Sequence, residues 1–285
     1  MAIPQVPLIA AIRCGNRAFA SGKGTLLYRS RGAINLQFGR KVVTVQVCPG
    51  VLSPSSILVD HPGLPDVKEA HFEGDVMKTD AFEVTIGSVE NLHFGKRAVL
   101  NSRNAARSLR PWIRPHDFSI AKALLIHLYD LEVSSHGREK EIVKLQEQAI
   151  RESGSIPDLT SRLMGIGYGQ TPSGDDFILG LLAVLSLQGR DLASLRTIIH
   201  EYNNPYSRTI LEDACAGCFS EPLLALMNHL AEGSCPPDAA EALLRVGSTS
   251  GQDTLAGMYY ALHQSCPGCA WEPVTGTAGV DRASL

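Results

Sequence analysis

Nothing in these 285 residues supplies the long apolar run of a membrane span. The longest candidate, Phe177 to Leu187, is interrupted by Gly180 and falls short of the roughly 18 residues a span needs. A secretory leader is lacking as well. The opening MAIPQVPLIAAIRCG has only a short apolar stretch, with Pro4 and Pro7 where a charged segment would stand. An excess of either charge is also missing: Lys and Arg number 26, Asp and Glu 29, for a net charge of −3. No basic stripe and no basic amphipathic helix offers itself to nucleic acid or to a membrane surface. Cysteine is present in an odd number, seven, which suits reduced thiols better than a disulfide framework. The nine His fall in no HxH or HExxH spacing. These absences predict a cytoplasmic protein with neither a nucleic-acid nor a membrane partner.

What is present is a globular composition, 44% hydrophobic and 19% charged. The chain changes character near residue 110. Before it, short runs rich in Val, Ile, Leu and Thr alternate with Gly, Pro, Asn and Asp: 25–30, 33–38, 42–47, 56–59 and 81–86. Val43, Val45 and Val47 share one face of a strand. A small antiparallel sheet or barrel is expected over 1–110. After it, helical spacing takes over, with Phe118, Ala121, Leu125, Leu128 and Leu131 in one segment and Ile142, Leu145 and Ala149 in the next. Further helices are predicted at 176–188, 191–201, 206–219, 222–231, 238–246 and 252–264, with Pro205 and Pro222 at helix starts. The fold class is therefore α+β: a β-rich N-terminal part, then a mainly α-helical part over 111–269. Arg110-Pro111-Trp112-Ile113-Arg114-Pro115 is read as the joint, and 270–285 as a loose tail.

The most informative segment is Gly165-Ile-Gly-Tyr-Gly-Gln-Thr-Pro-Ser-Gly-Asp-Asp176, running straight into an apolar helix. Gly165, Gly167 and Gly169 free the backbone for positive φ. Thr171 and Ser173 can cap the helix, and Asp175 and Asp176 suit its positive end. A Gly-rich loop entering a helix start presents unpaired N–H groups, which is a ready anion site. It is not a nucleotide loop of the usual kinds. Gly169 and Gly174 have Walker A spacing, but Asp175 stands where the phosphate-binding Lys belongs. Gly165 and Gly167 begin a dinucleotide fingerprint that Gln170 breaks.

A second segment repeats the pattern. Residues 248–262 align without gaps on 171–185 through Ser-Gly-x-Asp-x3-Gly-x4-Leu. Ser173, Gly174, Asp176, Gly180 and Leu185 thus correspond to Ser250, Gly251, Asp253, Gly257 and Leu262, and Asp175 to Gln252. A Gly inside a helix costs about 1 kcal/mol relative to Ala, so two matched ones ask for a reason. Close helix packing supplies it. Two equivalent helices are expected to cross at Gly180 and Gly257, with both Ser-Gly-x-Asp turns facing one cleft. Capping alone is the plainer explanation of either copy, and the match between copies argues for more. The carboxylates either accept N–H groups of a substrate or hold Mg²⁺ bridging to phosphate.

The Gly-x-Gly-x-Gly-x-Thr-Pro-Ser-Gly-Asp-Asp-Phe run and the later Ser-Gly-x-Asp element resemble the oxamate carbamoyltransferase small subunit family. The likeness extends over most of the chain, including Ala33-Ile-Asn35-Leu. It implies carbamoyl transfer, from oxalurate and phosphate to oxamate and carbamoyl phosphate, in an assembly with two larger subunits. On that reading the small anionic metabolite is carbamoyl phosphate, oxamate or oxalurate. Asp175, Asp176 and Asp253 are the expected catalytic carboxylates, and no metal ligand is assigned. Gly165, Gly167, Gly169, Thr171, Ser173, Gly174, Ser250, Gly251 and Arg208 are the expected substrate contacts. Gly174→Val is expected to block the anion while sparing the helix. The alternative is a non-catalytic metabolite-binding or assembly subunit, with the chemistry on a partner.

Arg162, Arg103 and Arg107 are further cations within sequence reach of the motif, each more ordinary as a surface charge. Cys215-Ala-Gly-Cys218 and Cys266-Pro-Gly-Cys269 could make a four-thiolate zinc site. The first pair, however, falls in a predicted helix, and no such site is expected. His61 and His93 could carry protons only if folding brings them to the motif.

Overall fold

A computed structural model of the chain describes residues 7–95, 100–115, 119–129 and 137–265. The chain forms an α+β structure of two compact units that do not follow sequence order. The first is Met1–Gly95 with Ile199–Ala225; the second is Lys96–Ile198 with Leu226–Leu285. Among the described residues, no helix is long and apolar enough to cross a membrane.

The first unit is a barrel. Its strands are β1 (Leu8–Gly15), β2 (Lys23–Arg29), β3 (Ala33–Phe38), β4 (Lys41–Val47), β5 (Ser56–Val59), β6 (Glu69–Glu73), β7 (Val76–Thr79), β8 (Glu83–Ile86) and the short β9 (Val89–Glu90). The order β5-β4-β3-β2-β6-β7-β8-β1 closes through pairing of β1 with β5, and β9 adds to the end of β1. Closure removes the free edges that an open sheet would expose.

The sequence suggested an antiparallel arrangement, and the barrel is mixed. Tight turns at Gly39 and Gly74, both with positive φ, make antiparallel hairpins β3–β4 and β6–β7. The longer 48–55 connection instead returns β5 parallel to β4, and β1 lies parallel to β8. Strand alternation fills the interior: Ile34, Leu36, Val43, Val45, Ile57, Met77, Phe82 and Val84 are all fully buried. Strands β1, β6, β7 and β9 were missed in the sequence: β1 is apolar on both faces, with Leu8 and Ile12 exposed, and β6, β7 and β9 are only two to five residues long.

Helix α7 (Pro205–Cys215) belongs to this unit. Asn204 caps it, accepting from the Tyr206 and Ser207 amides at 3.1 and 3.2 Å, and Pro205 sits in its first turn. Polar side chains on its inner face secure it to the barrel. Thr209 Oγ1 accepts the Val42 N–H at 2.9 Å. Asp213 accepts from Arg17 Nε at 2.5 Å and Ser55 Oγ at 2.6 Å. Burial raises the Asp213 carboxyl above its ordinary range, with Ser55 and Arg17 pulling it back.

The second unit is helical: α1 (Ser102–Leu109), a 3-10 turn (Arg110–Trp112), α2 (Ile120–Tyr129), α3 (Gly137–Glu152), α4 (Ile156–Leu163), α5 (Ser173–Leu187), α9 (Pro237–Leu244) and α10 (Ser250–Gln264). Helices α6 (Ala193–His200) and α8 (Glu221–Ala231) run across the two unit boundaries. The turn at Arg110–Trp112, read from sequence as the joint, lies within this second unit. On α3 the buried stripe is Val143, Gln146, Ala149 and Ile150, while Leu145 is exposed. All of α5 except Leu179 and Ser186 is buried, so its apolar run is a core helix. Phe118, Leu131, the Cys266–Cys269 pair and the 270–285 tail lie outside the described residues.

Candidate functional site

The two matched segments fold as two copies of one device, a short helix, a turn and a long helix. Helix α4 leads into α5, and α9 leads into α10. A Cβ on Gly174 would lie 2.0 Å from the Leu163 carbonyl oxygen, and one on Gly251 would lie 2.0 Å from that of Leu243. Each glycine lets its long helix begin against the end of the preceding short one. Gly174 N–H donates to Ile166 O at 2.9 Å, and Gly251 N–H to Val246 O at 3.0 Å. The first loop is the longer: residues 167–173 stand where the second copy has 247–250.

The two long helices make the most extensive helix–helix contact in the unit. A Cβ on Gly180 would lie 1.9 Å from Thr254 O, and one on Gly257 would lie 1.9 Å from Phe177 O. Phe177 and Thr254 are equivalent in the alignment, so the contact is reciprocal, like that of a two-fold dimer. At one end Thr171 Oγ1 and Ser250 Oγ are 3.3 Å apart; at the other Gln188 Nε2 donates to Ser265 Oγ at 2.9 Å. Helices α5 and α10 therefore run parallel, with both N-termini together. Aligned dipoles concentrate positive potential there, and the first turns place carboxyl groups in it.

Those carboxyls are buried: Asp175 is 2% exposed, Asp176 5% and Asp253 0%. Asp175 Oδ1 accepts the Gly165 N–H at 2.8 Å and so ties the loop to the helix start. Its counterpart Gln252 instead donates to Trp112 O at 3.1 Å. Asp253 Oδ1 accepts from Ser119 Oγ at 2.5 Å and from Ile120 N–H at 2.8 Å, capping α2. Asp176 receives the Ser250 and Thr171 hydroxyls. The second oxygen of each, Asp176 Oδ2 and Asp253 Oδ2, has no hydrogen-bond partner among the described residues. Burial pushes Asp253 up to about 7, against the pull of Ser119 and the Ile120 amide. Burial, then the neighbouring Asp253 charge, pushes Asp176 well above the carboxylate range.

The loop itself is partly exposed. Gly165, Gly167 and Gly169 have φ of +80°, +134° and +93°, the left-handed conformations for which the alternating glycines were singled out. The amides of Gly167 and Gly169 donate to nothing among the described residues. The helix-start amides of Gly174, Asp175 and Asp176 are instead taken by Ile166 O and Pro172 O. Ser173 faces inward, its Oγ accepting from Gln146 Nε2 at 2.9 Å. Any free N–H donors for an anion are thus on the loop rather than on the first turn of α5.

Arg208 lies on α7 in the barrel unit. Its guanidinium donates to Tyr202 O at 2.7 Å and Arg40 O at 2.8 Å, which secures backbone. Arg162 is an exposed partner of Asp158 and Glu152. His61 and His93 lie in the barrel unit. Among the described residues, no three His, Cys, Asp or Glu side chains are grouped to hold a metal ion. Sequence reasoning missed Ser119 and Gln146. Ser119 was readable as a cap just before the apolar run of α2, whereas Gln146 was hidden in a charged helix.

The arrangement defines a duplicated helix–turn–helix module with paired, carboxylate-bearing N-termini. The family model of oxamate carbamoyltransferase subunit AllH matches residues 163–262, a span that takes in both Ser-Gly-x-Asp turns. The resemblance carried by the Thr-Pro-Ser-Gly-Asp-Asp run holds over that span. No solved structure matches the chain.

Proposed function

We propose that the chain is a cytoplasmic subunit of a carbamoyl-transfer enzyme that converts oxalurate and phosphate to oxamate and carbamoyl phosphate, together with two larger subunits. The observation that carries this reading is the family match across both helix starts, joined to the two open amides at Gly167 and Gly169. In the reaction a phosphate oxygen attacks the carbamoyl carbon, the bond to the oxamate nitrogen breaks, and that nitrogen takes a proton. The transition state gathers negative charge on oxygen. Loop amides and two parallel helix N-termini stabilise such charge without reorganising. Gly165, Gly167, Gly169, Thr171 and Ser250 form the binding surface in this proposal. Ser173, Gly174 and Gly251 build the helix starts behind it, with Asp175 as the brace of the loop.

A second reading, a metabolite-binding or assembly subunit with the chemistry on a partner, is favoured by the depth of Asp175, Asp176 and Asp253. Oxalurate phosphorolysis by the chain alone, and then with its partner subunits, separates the two.

The binding surface is tested with Gly169→Ala. At φ +93° alanine strains the loop by about 1–2 kcal/mol, yet its Cβ meets nothing nearer than Thr171 O at 3.9 Å, so the helices keep their packing. Phosphate affinity by titration calorimetry, with and without Mg²⁺, should fall at least about tenfold, the loss of one or two hydrogen bonds to a charged group. Unchanged affinity would move the anion elsewhere. Gly174→Val is no substitute for this test, because its side chain would strike the Leu163 carbonyl and disrupt α4 against α5.

A further inference from the structure

The barrel has a mouth where β1 ends at Gly15 and where β4 and β5 begin, at Lys41 and Ser56. Lys41 shares its face of β4 with Val43 and Val45, both fully buried in the barrel interior, so it stands on the inner side of the rim. Its Nζ donates to Phe19 O at 2.9 Å, and no carboxylate pairs with it among the described residues. Asp213, which reaches this end from α7, is taken on both oxygens: Oδ1 by Arg17 Nε and Oδ2 by Ser55 Oγ. Arg17 stands two residues before Phe19, and its side chain is 38% exposed. Its two Nη groups donate to nothing among the described residues. The rim thus gathers two cations around one carboxyl. Burial lowers the Lys41 ammonium below its usual range; Asp213 opposes the fall and the Arg17 charge adds to it. A half-buried charge is costly unless something pairs with it.

We infer that Lys41 Nζ and the Arg17 Nη groups form a small-oxyanion site at the barrel mouth, which takes a carboxylate or phosphate group between them. Barrel mouths are recurrent ligand sites. An anion there supplies the counter-charge that Lys41 lacks. A guanidinium whose Nε is fixed by Asp213 holds its Nη donors in one plane, ready for the oxygens of such a group. A metal cation would add to an excess of positive charge and is disfavoured. Asp213 and Ser55 are positioning residues: they hold Arg17 and do not touch the anion. The ordinary role of Lys41, tying the 16–20 loop to β4 through Phe19 O, uses one of its three N–H groups and leaves two. Arg17, Lys41, Ser55 and Asp213 all belong to the barrel unit, so this site goes beyond the helix-start reading and does not depend on it.

The test is titration calorimetry of the full chain with inorganic phosphate and, separately, with oxamate as a carboxylate, at fixed ionic strength in chloride. At least one of the two should bind with a component that weakens about tenfold or more in Lys41→Met, the loss of a charged donor. Lys41→Arg keeps the charge and should keep most of the affinity. Arg17→Gln can still donate to Asp213 but loses the charge, and should weaken the same component. Gly169→Ala should leave that component unchanged. On the wild-type chain, reductive methylation of Lys41, read by peptide mass spectrometry, should slow at saturating anion, which decides the matter even if Lys41→Met fails to fold. Which probe binds and protects tells phosphate from carboxylate. No binding of either probe, a component that survives Lys41→Met, or Lys41 unprotected at saturation overturns the inference. Loss of binding in Gly169→Ala with none in Lys41→Met overturns it and leaves the helix-start surface standing.

Discussion

Gly180→Ala is expected to destabilise the helical unit by about 3 kcal/mol, the upper end of ordinary overpacking penalties. The added Cβ would lie 1.9 Å from Thr254 O and 2.8 Å from Met258 N. Both are backbone atoms of α10, so no rotamer change can relieve the clash and the helices must move apart. Almost all of α5 and most of α10 are buried, so that movement opens the core along their length. The better helix propensity of alanine recovers only about 1 kcal/mol of the loss. Gly257→Ala should behave alike, since its Cβ would meet Phe177 O at the same distance. The double variant should cost clearly less than the sum, because helices already parted by one methyl accept the second cheaply. Urea titrations followed by far-ultraviolet circular dichroism measure all three. A near-neutral Gly180→Ala, or strict additivity of the pair, would contradict the close crossing.

Asp253→Asn is expected to stabilise the protein above neutral pH and to change little near pH 4. Burial raises the folded-state value of Asp253 to about 7, whereas an unfolded aspartate titrates near 3.9. Between those values the folded chain holds a proton that the unfolded chain has released. Stability therefore falls as pH rises through this window and levels off above about 7. About three units of difference correspond to about 4 kcal/mol at most. Asparagine keeps an oxygen for Ser119 Oγ and the Ile120 amide and removes the buried charge. Asp176 and Asp213 are also raised by burial and slope the wild-type curve in the same direction. The difference between variant and wild-type curves reports Asp253 together with the part of the Asp176 rise that its charge causes. A constant difference from pH 4 to pH 8 would show that Asp253 titrates as it does in the unfolded chain.

Much of the architecture could be read in advance because local rules and tertiary packing agreed. The strands 33–38 and 42–47 are dense in β-branched and apolar residues, and they sit at the barrel's buried wall. Helix α5 was plain from its apolar run, but the caps expected at Thr171 and Ser173 are not made: the helix begins at Ser173 with Pro172 as its N-cap and no side-chain cap, and the Ser173 hydroxyl accepts from Gln146 instead. Strand β1 was not plain, because its outer face carries the exposed apolar residues Leu8 and Ile12, so the run Leu8–Ile12 shows no polar alternation. Leu145 misled for the opposite reason: an apolar residue at helical spacing carries no label saying which side faces water.

For the candidate site, the sequence by itself determined the repeat, the two matched helix starts and the crossing glycines. Each of these is a matter of backbone conformation and steric volume, which residue identity dictates directly. It also determined the positive-φ loop, since only glycine enters those conformations freely. Tertiary structure alone decided that α5 and α10 run parallel, which brings their N-termini together and places Ser250 beside Thr171. It alone decided that the Asp175 carboxyl holds its own loop and that Asp176 Oδ2 and Asp253 Oδ2 have no hydrogen-bond partner among the described residues. Only the tertiary structure, too, assigned Ile199–Ala225, with Arg208, to the barrel unit. The physical reason is common to all of these. Caps, turns and periodicity are set within a few residues, whereas the hydrogen-bond partners of buried polar groups are set by segments far apart in the chain.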